Sequence, residues 1–114
     1  MVFESVGTEK EVRPEDLKML REQDGGVFIL DCREPAEVAT GAIAGSVNIP
    51  MSQLPARVNE IDSDCATVVV CHHGMRSLQV AAWLKKQAGF SQVKSLKGGM
   101  DAWSRQIDPS IPRY

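Results

Sequence analysis

Three cysteines, Cys32, Cys65 and Cys71, are all that the 114 residues contain, and their spacing matches no metal-ligand pattern. An odd, small number of this kind speaks against a disulfide framework, leaves at least one thiol free and suits a reducing compartment. Long apolar runs are also missing. No stretch nears the roughly 20 residues that cross a bilayer, and the start, Met1-Val2-Phe3-Glu4, lacks the basic-then-apolar pattern of a signal peptide. The expectation is a cytoplasmic protein with no membrane partner. Nor is there an excess of one charge: 13 Lys and Arg against 15 Asp and Glu give a formal −2, which provides no general attraction for nucleic acid. Internal repeats and low-complexity tracts are absent. What remains is an ordinary globular balance of 43% apolar and 25% charged residues, enough chain for one domain over residues 1–114 and too little for two.

The order of patterns is strand, helix, strand, helix. Ala66-Thr67-Val68-Val69-Val70 is continuously apolar and β-branched, as a central parallel strand buried on both faces requires. Val27-Phe28-Ile29-Leu30 is a second such run. Val47-Asn48-Ile49, stopped by Pro50, and Val93 to Leu96 are shorter, and a first strand lies somewhere in residues 2–12. Helices are expected from Pro14, with Leu17 and Leu20 on one face, from Glu34-Pro35-Ala36-Glu37, weakly from Met51 to Ile61, from Ser77 to Ala88, and from Met100 to Arg105, which buries Trp103. Asp24-Gly25-Gly26 reads as a turn, and Gly89 as a left-handed helix stop with Phe90 folding back on it. This alternation predicts an α/β fold of three layers, α/β/α, with a mainly parallel sheet of about five strands and a site at their carboxyl ends.

Cys71-His72-His73-Gly74-Met75-Arg76-Ser77 occupies that position between the apolar strand and the helix, with Ser77 placed to cap the first turn. A free cysteine titrates near ~8.5, so a useful thiolate fraction at neutral pH needs about 1.4 to 2.7 kcal/mol of help. A helix dipole supplies only about 0.3 to 1 kcal/mol, or ~2 when partly buried. The rest is expected from successive loop N–H groups turned inward, which Gly74 permits, and from the permanent charge of Arg76 at the rim. Cys71 is therefore the candidate nucleophile of an anion-binding bowl. If Cys65 and Cys71 end one strand, about 3.3 Å per residue sets them roughly 20 Å apart and rules out a bridge between them.

The loop resembles the active-site loop of the rhodanese-like sulfurtransferases. Other stretches agree in order: Ile29-Leu30-Asp31-Cys32-Arg33-Glu34-Pro35 with Glu37, then Gly41-Ala42-Ile43-Ala44-Gly45-Ser46-Val47-Asn48-Ile49-Pro50, then Gly89-Phe90, Leu96-Lys97-Gly98-Gly99 and Ala102-Trp103. The resemblance implies a single rhodanese-like domain in which Cys71 carries a sulfane sulfur as a persulfide. The donor would be thiosulfate or a protein persulfide, the acceptor cyanide or a thiol, and no metal or organic cofactor would be needed. His72, His73, Gly74, Met75, Arg76 and Ser77 would bind substrate. The ending from Trp103 to Tyr114 resembles rhodanese domains fused behind adenylating enzymes of sulfur-cofactor synthesis. An alternative is thus a carrier module that receives persulfide from a protein and delivers it to a sulfur-cofactor or tRNA-thiolation pathway with little turnover of thiosulfate. The family pattern is departed from at Ala42, where it usually has histidine, and at Cys32, where it more often has an aliphatic residue.

Phosphatase or arsenate-reductase chemistry is the lesser alternative. Only four residues separate Cys71 from Arg76; the loop of cysteine phosphatases is one longer, to cradle three phosphoryl oxygens, and no carboxylate stands in this loop as a leaving-group acid. His72 and His73 are expected to line the loop, since three adjacent residues do not all point at one ion. Asp31 and Arg33 read as a structural pair. Lys85, Lys86, Lys94 and Lys97 read as a solvated surface, with a basic docking face as the sharper alternative. Cys32 reads as a small buried side chain or, if its strand adjoins that of Cys71, as a resolving thiol.

Overall fold

A computed structural model describes residues 3–23 and 26–114. Its centre is β4 (Thr67–Val70), whose residues Val68, Val69 and Val70 are at most 1% exposed. On one side β4 pairs with β2 (Phe28–Asp31), and β2 with β3 (Val47–Asn48). On the other it pairs with β5 (Val93–Leu96), and β5 with β1 (Glu11–Val12). All pairings are parallel, in the order β1-β5-β4-β2-β3. The run of β-branched residues is what both faces of such a strand demand, since helices cover each of them.

The two faces carry different helices. α1 (Pro14–Glu22) and α5 (Gly99–Gln106) bring Leu17, Leu20, Met100 and Trp103 onto Ile29, Val68, Val70 and Leu96. α3 (Leu54–Arg57) and α4 (Met75–Gln87) bring Leu54, Val80, Ala81 and Leu84 onto Leu30, Val69 and Val93. The expected three-layer arrangement is therefore observed, with α2 (Pro35–Val38) short and burying nothing. None of the helices is long and apolar enough to cross a membrane, among the described residues.

Some boundaries differ from expectation. The segment from Met51 breaks into a 3-10 turn, α3 and a second 3-10 turn, because Pro55 in the first turn of α3 cannot donate to a continuing helix. The first strand is only two residues long, preceded by a 3-10 turn at Phe3–Ser5. Asp24 and Gly25 of the expected turn lie outside the described residues, as do Met1 and Val2.

Lys94 overturns the solvated-surface reading. It lies in β5 only 4% exposed, and its ammonium donates to the carbonyls of Phe3 (3.1 Å), Glu4 (3.0 Å) and Val6 (2.6 Å). A cation in a buried strand needs such acceptors, and here they fasten the N-terminal turn to the sheet.

Candidate active site

Cys71 follows directly on β4 and is 1% exposed. Its Sγ receives the backbone N–H of Gly74 at 3.1 Å and of Ser77 at 3.3 Å, and lies 3.3 Å from the Ser77 hydroxyl. That hydroxyl is 2.6 Å from the hydroxyl of Ser95 in β5, and both serines are fully buried. Two backbone N–H groups thus converge on one sulfur, which in turn meets a buried pair of hydroxyls.

The helix start explains the loop's shape and corrects one expectation. Gly74, not Ser77, is the N-cap of α4, with φ +98°; a side chain at that angle would be strained, and a Cβ would press on the Gly98 nitrogen and the Leu96 carbonyl. Ser77 stands in the first helical turn instead, where its N–H has no partner within the helix and is free to turn to the sulfur.

The other support comes from α5. Two N–H groups of its first turn, those of Met100 and Asp101, donate to the carbonyls of Cys71 (2.8 Å) and His72 (3.0 Å). Because the peptide unit is planar and trans, the N–H groups of His72 and His73 point away from α5. Gly99 makes the close approach possible: at φ +59° a Cβ there would run into the carbonyl oxygens of Cys71 and His72. The Gly98-Gly99 pair, expected only as a turn, is therefore part of the loop's mounting.

Arg76, expected as a permanent charge at the rim, is paired there. Its guanidinium is bidentate to the Glu37 carboxylate, 2.7 Å at each oxygen, and 35% exposed. The hydrogen bond from Arg76 leads the causes that hold the Glu37 carboxyl down at about 2. Tyr114 adds to this group: its hydroxyl donates to Glu37 at 3.0 Å, accepts from Arg33 at 3.0 Å, and its ring stacks on His72 with centroids 3.9 Å apart. Asp31 and Arg33 form the expected structural pair, at 2.7 Å and at most 1% exposed.

Of the remaining loop residues, His72 is half-buried and stacks on His73 at 3.8 Å, His73 is exposed, and Met75 is 70% exposed. His72, His73 and Asp101 bring three possible metal-ligating atoms within 4.8 Å of one another, a grouping the sequence reading did not foresee because Asp101 is distant in the chain. The Asp101 carboxylate already accepts from Arg105 (3.1 Å) and Arg113 (2.8 Å), two cations that oppose a third. Ser95 and Tyr114 were missed by sequence reasoning. A serine inside an otherwise buried strand was the available signal for Ser95; nothing local marked Tyr114.

The chain is similar to known proteins over most of its length. The chain is 38% identical over 101 residues to a protein named Sulfurtransferase from Allochromatium vinosum, covering 89% of this chain and 94% of that one. It is 43% identical over 94 residues to Thiosulfate sulfurtransferase GlpE of Pseudomonas fluorescens, covering 82% and 84%. The crystal structure of a rhodanese-related protein from Thermoplasma volcanium superposes with a TM-score of 0.76 at 32% identity, over 86% of this chain and 93% of that one. A family model described as Rhodanese-like domain matches residues 13–106, and the chain belongs to that family.

Proposed function

We propose that the protein is a rhodanese-type sulfurtransferase in which Cys71 accepts a sulfane sulfur and passes it to a thiophilic acceptor, a thiol or cyanide. The observation that carries this reading is the Cys71 sulfur at the floor of the loop, receiving N–H groups from Gly74 and Ser77. In the first step the thiolate attacks the outer sulfur of thiosulfate or of a donor persulfide. The S–S bond of the donor breaks, and sulfite or the donor thiolate leaves with the electron pair. In the second step the acceptor attacks the outer sulfur of the Cys71 persulfide and the Cys71 thiolate leaves. Both are displacements at sulfur and call for no cofactor.

The negative charge stays within the loop throughout. The N–H groups of Gly74 and Ser77 serve the sulfur that carries it before loading and after release, and the Ser77 hydroxyl lies between that sulfur and the Ser95 hydroxyl. His72 and His73 present N–H groups that have no partner among the described residues, and these would meet an incoming anion. Four residues between Cys71 and Arg76, one fewer than in cysteine phosphatases, suit a single sulfur atom better than a phosphoryl group and favour sulfur transfer over phosphatase chemistry.

The carrier reading has its own support. With Arg76 held by Glu37, little free cationic charge faces a dianion such as thiosulfate, and a protein persulfide becomes the better donor. Incubation with thiosulfate or with a low-molecular-weight persulfide, followed by intact mass measurement, should show the gain of one sulfur atom. Cys71→Ser should abolish it; loading that survives this substitution overturns the assignment. Strong loading with negligible thiocyanate release on adding cyanide identifies the carrier, and sustained turnover identifies the enzyme.

A further inference from the structure

Cys32 takes no part in the proposed reaction, yet the sheet delivers it to Cys71. β2 and β4 pair with Leu30 opposite Val69 and Asp31 opposite Val70, and the Cys32 N–H continues the ladder to the Val70 carbonyl at 3.0 Å. The next residues in register are Cys32 and Cys71. Strand alternation puts both on one side: Leu30, Cys32, Val69 and Cys71 share the core beneath α4, whereas Ile29, Val68 and Val70 face the other. Neighbouring strands lie about 4.8 Å apart, within the range of about 4.4 to 6.8 Å between Cα atoms that a disulfide spans. Both backbones are fastened, since the Cys32 carbonyl accepts from Met51 (3.0 Å) and the Cys71 carbonyl from Met100 (2.8 Å). Cys65 is exposed and precedes the opposite end of β4.

We propose that Cys32 is a resolving thiol: when a peroxide oxidises Cys71 to its sulfenic acid, Cys32 captures it as an intramolecular Cys32–Cys71 disulfide that a thiol reductant reopens. In the first step the Cys71 thiolate attacks one oxygen of hydrogen peroxide, the O–O bond breaks, and hydroxide leaves with the electron pair. In the second the Cys32 sulfur attacks the Cys71 sulfur, the S–O bond breaks, and the departing oxygen takes the Cys32 proton to leave as water. Cys32 is oxidised and the Cys71 sulfenic acid reduced. A second thiol in this place stops Cys71 short of the irreversible sulfinic acid.

The same surroundings keep Cys32 silent during sulfur transfer. Burial first, then the charges of Cys71 and Asp31, outweigh the charge of Arg76 and push its thiol up to about 12. It therefore stays protonated at neutral pH and neither competes for donors nor discharges a sulfur carried by Cys71. A sulfenic acid on Cys71 is uncharged, which removes one of the charges opposing ionisation of Cys32.

The test uses the full chain with Cys65→Ser, so that the exposed thiol forms no links. After hydrogen peroxide in molar excess, enough to supply every oxygen a sulfonic acid needs, non-reducing intact mass should fall by two hydrogens, and digestion should yield one linked peptide pair containing Cys32 and Cys71. Dithiothreitol should then restore sulfur loading in full. Cys32→Val in the same background keeps an apolar side chain of similar size. Before oxidation it should load sulfur as its parent does; after the same exposure it should carry two or three oxygens on Cys71 and recover less than about a tenth of its loading. Sulfinic Cys71 without a linked peptide in the chain that retains both thiols overturns the proposal, as does full recovery of the Cys32→Val protein. The linked peptide is read with both thiols present, so the result does not depend on how any Cys32 variant folds, and it is a mass, independent of which donor the protein uses.

Discussion

Replacing Asp31 by alanine should be among the most damaging single changes in this molecule, although Asp31 touches no reacting atom. Its carboxylate accepts Arg33 Nε at 2.9 Å and Nη2 at 2.7 Å, together with the Arg33 backbone N–H at 3.1 Å. The guanidinium is fully buried, so losing the carboxylate strands a cation whose other partners are neutral: the Gly41 carbonyl at 2.9 Å, the Tyr114 hydroxyl at 3.0 Å and the Glu37 carbonyl at 3.4 Å. Breaking a buried pair by removing one partner costs about 3 to 5 kcal/mol, against a total stability of about 5 to 15. For a domain of this size about 4 °C of Tm accompanies each kcal/mol, so the expected fall is about 12 to 20 °C. Thermal unfolding by circular dichroism measures it. The double variant Asp31→Ala, Arg33→Met removes the stranded charge and should recover a substantial part of the loss. A fall below about 4 °C for Asp31→Ala, or a double variant less stable than the single, would refute the account of Asp31 as counter-ion to a buried guanidinium.

Glu37→Gln should reduce stability by about 1 to 2 kcal/mol, the shift of the Glu37 carboxyl discounted for the exposure of Arg76. Because the folded state holds that carboxyl at about 2 against an ordinary 4.5, its contribution is complete above pH 4.5 and fades as the pH falls toward 2, so urea unfolding of the two proteins should converge over that window and stay parallel above it. Gly99→Ala should lower the rate of sulfur loading on Cys71 at least tenfold, since the added carbon presses on the Cys71 and His72 carbonyls; loading at the wild-type rate would mean that α5 does not fix the loop. Lys94→Met leaves three carbonyls without their donor and should cost about 2 to 3 kcal/mol, with hydrogen exchange accelerated first at Phe3 to Val6.

What could be read from the sequence was whatever a short segment decides for itself. The run Val68-Val69-Val70 has no polar face, so only a strand covered on both sides accommodates it, and the position of Cys71 at its end follows. Asp31 and Arg33 stand two apart, near enough to be recognised as a pair. The pairing of Arg76 could not be read because its partner lies 39 residues away, and nothing near Arg76 announces Glu37. Lys94 looked solvated for the same reason: the carbonyls that receive it are 88 to 91 residues distant. Ser77 was misplaced by a propensity that is real but subordinate. Serine favours helix caps, yet the helix must begin at Gly74 if the Ser77 N–H is to reach the sulfur.

The deeper reason the loop was only half legible is that each peptide unit has two ends. Inward-facing N–H groups were expected from the loop itself, as a property of a tight turn with a glycine in it. A planar trans unit that turns its N–H one way turns its carbonyl the other, and a buried carbonyl must be satisfied. The carbonyls of Cys71 and His72 are satisfied by Met100 and Asp101, N–H groups that have no acceptor inside α5 because they open that helix. The first turn of α5 is thus as much a determinant of where the loop amides point as the loop's own residues are. Cys71 to Ser77 and Gly98 to Asp101, separate stretches in the sequence, are one physical unit, and a substitution in the second should be felt at the sulfur without touching it.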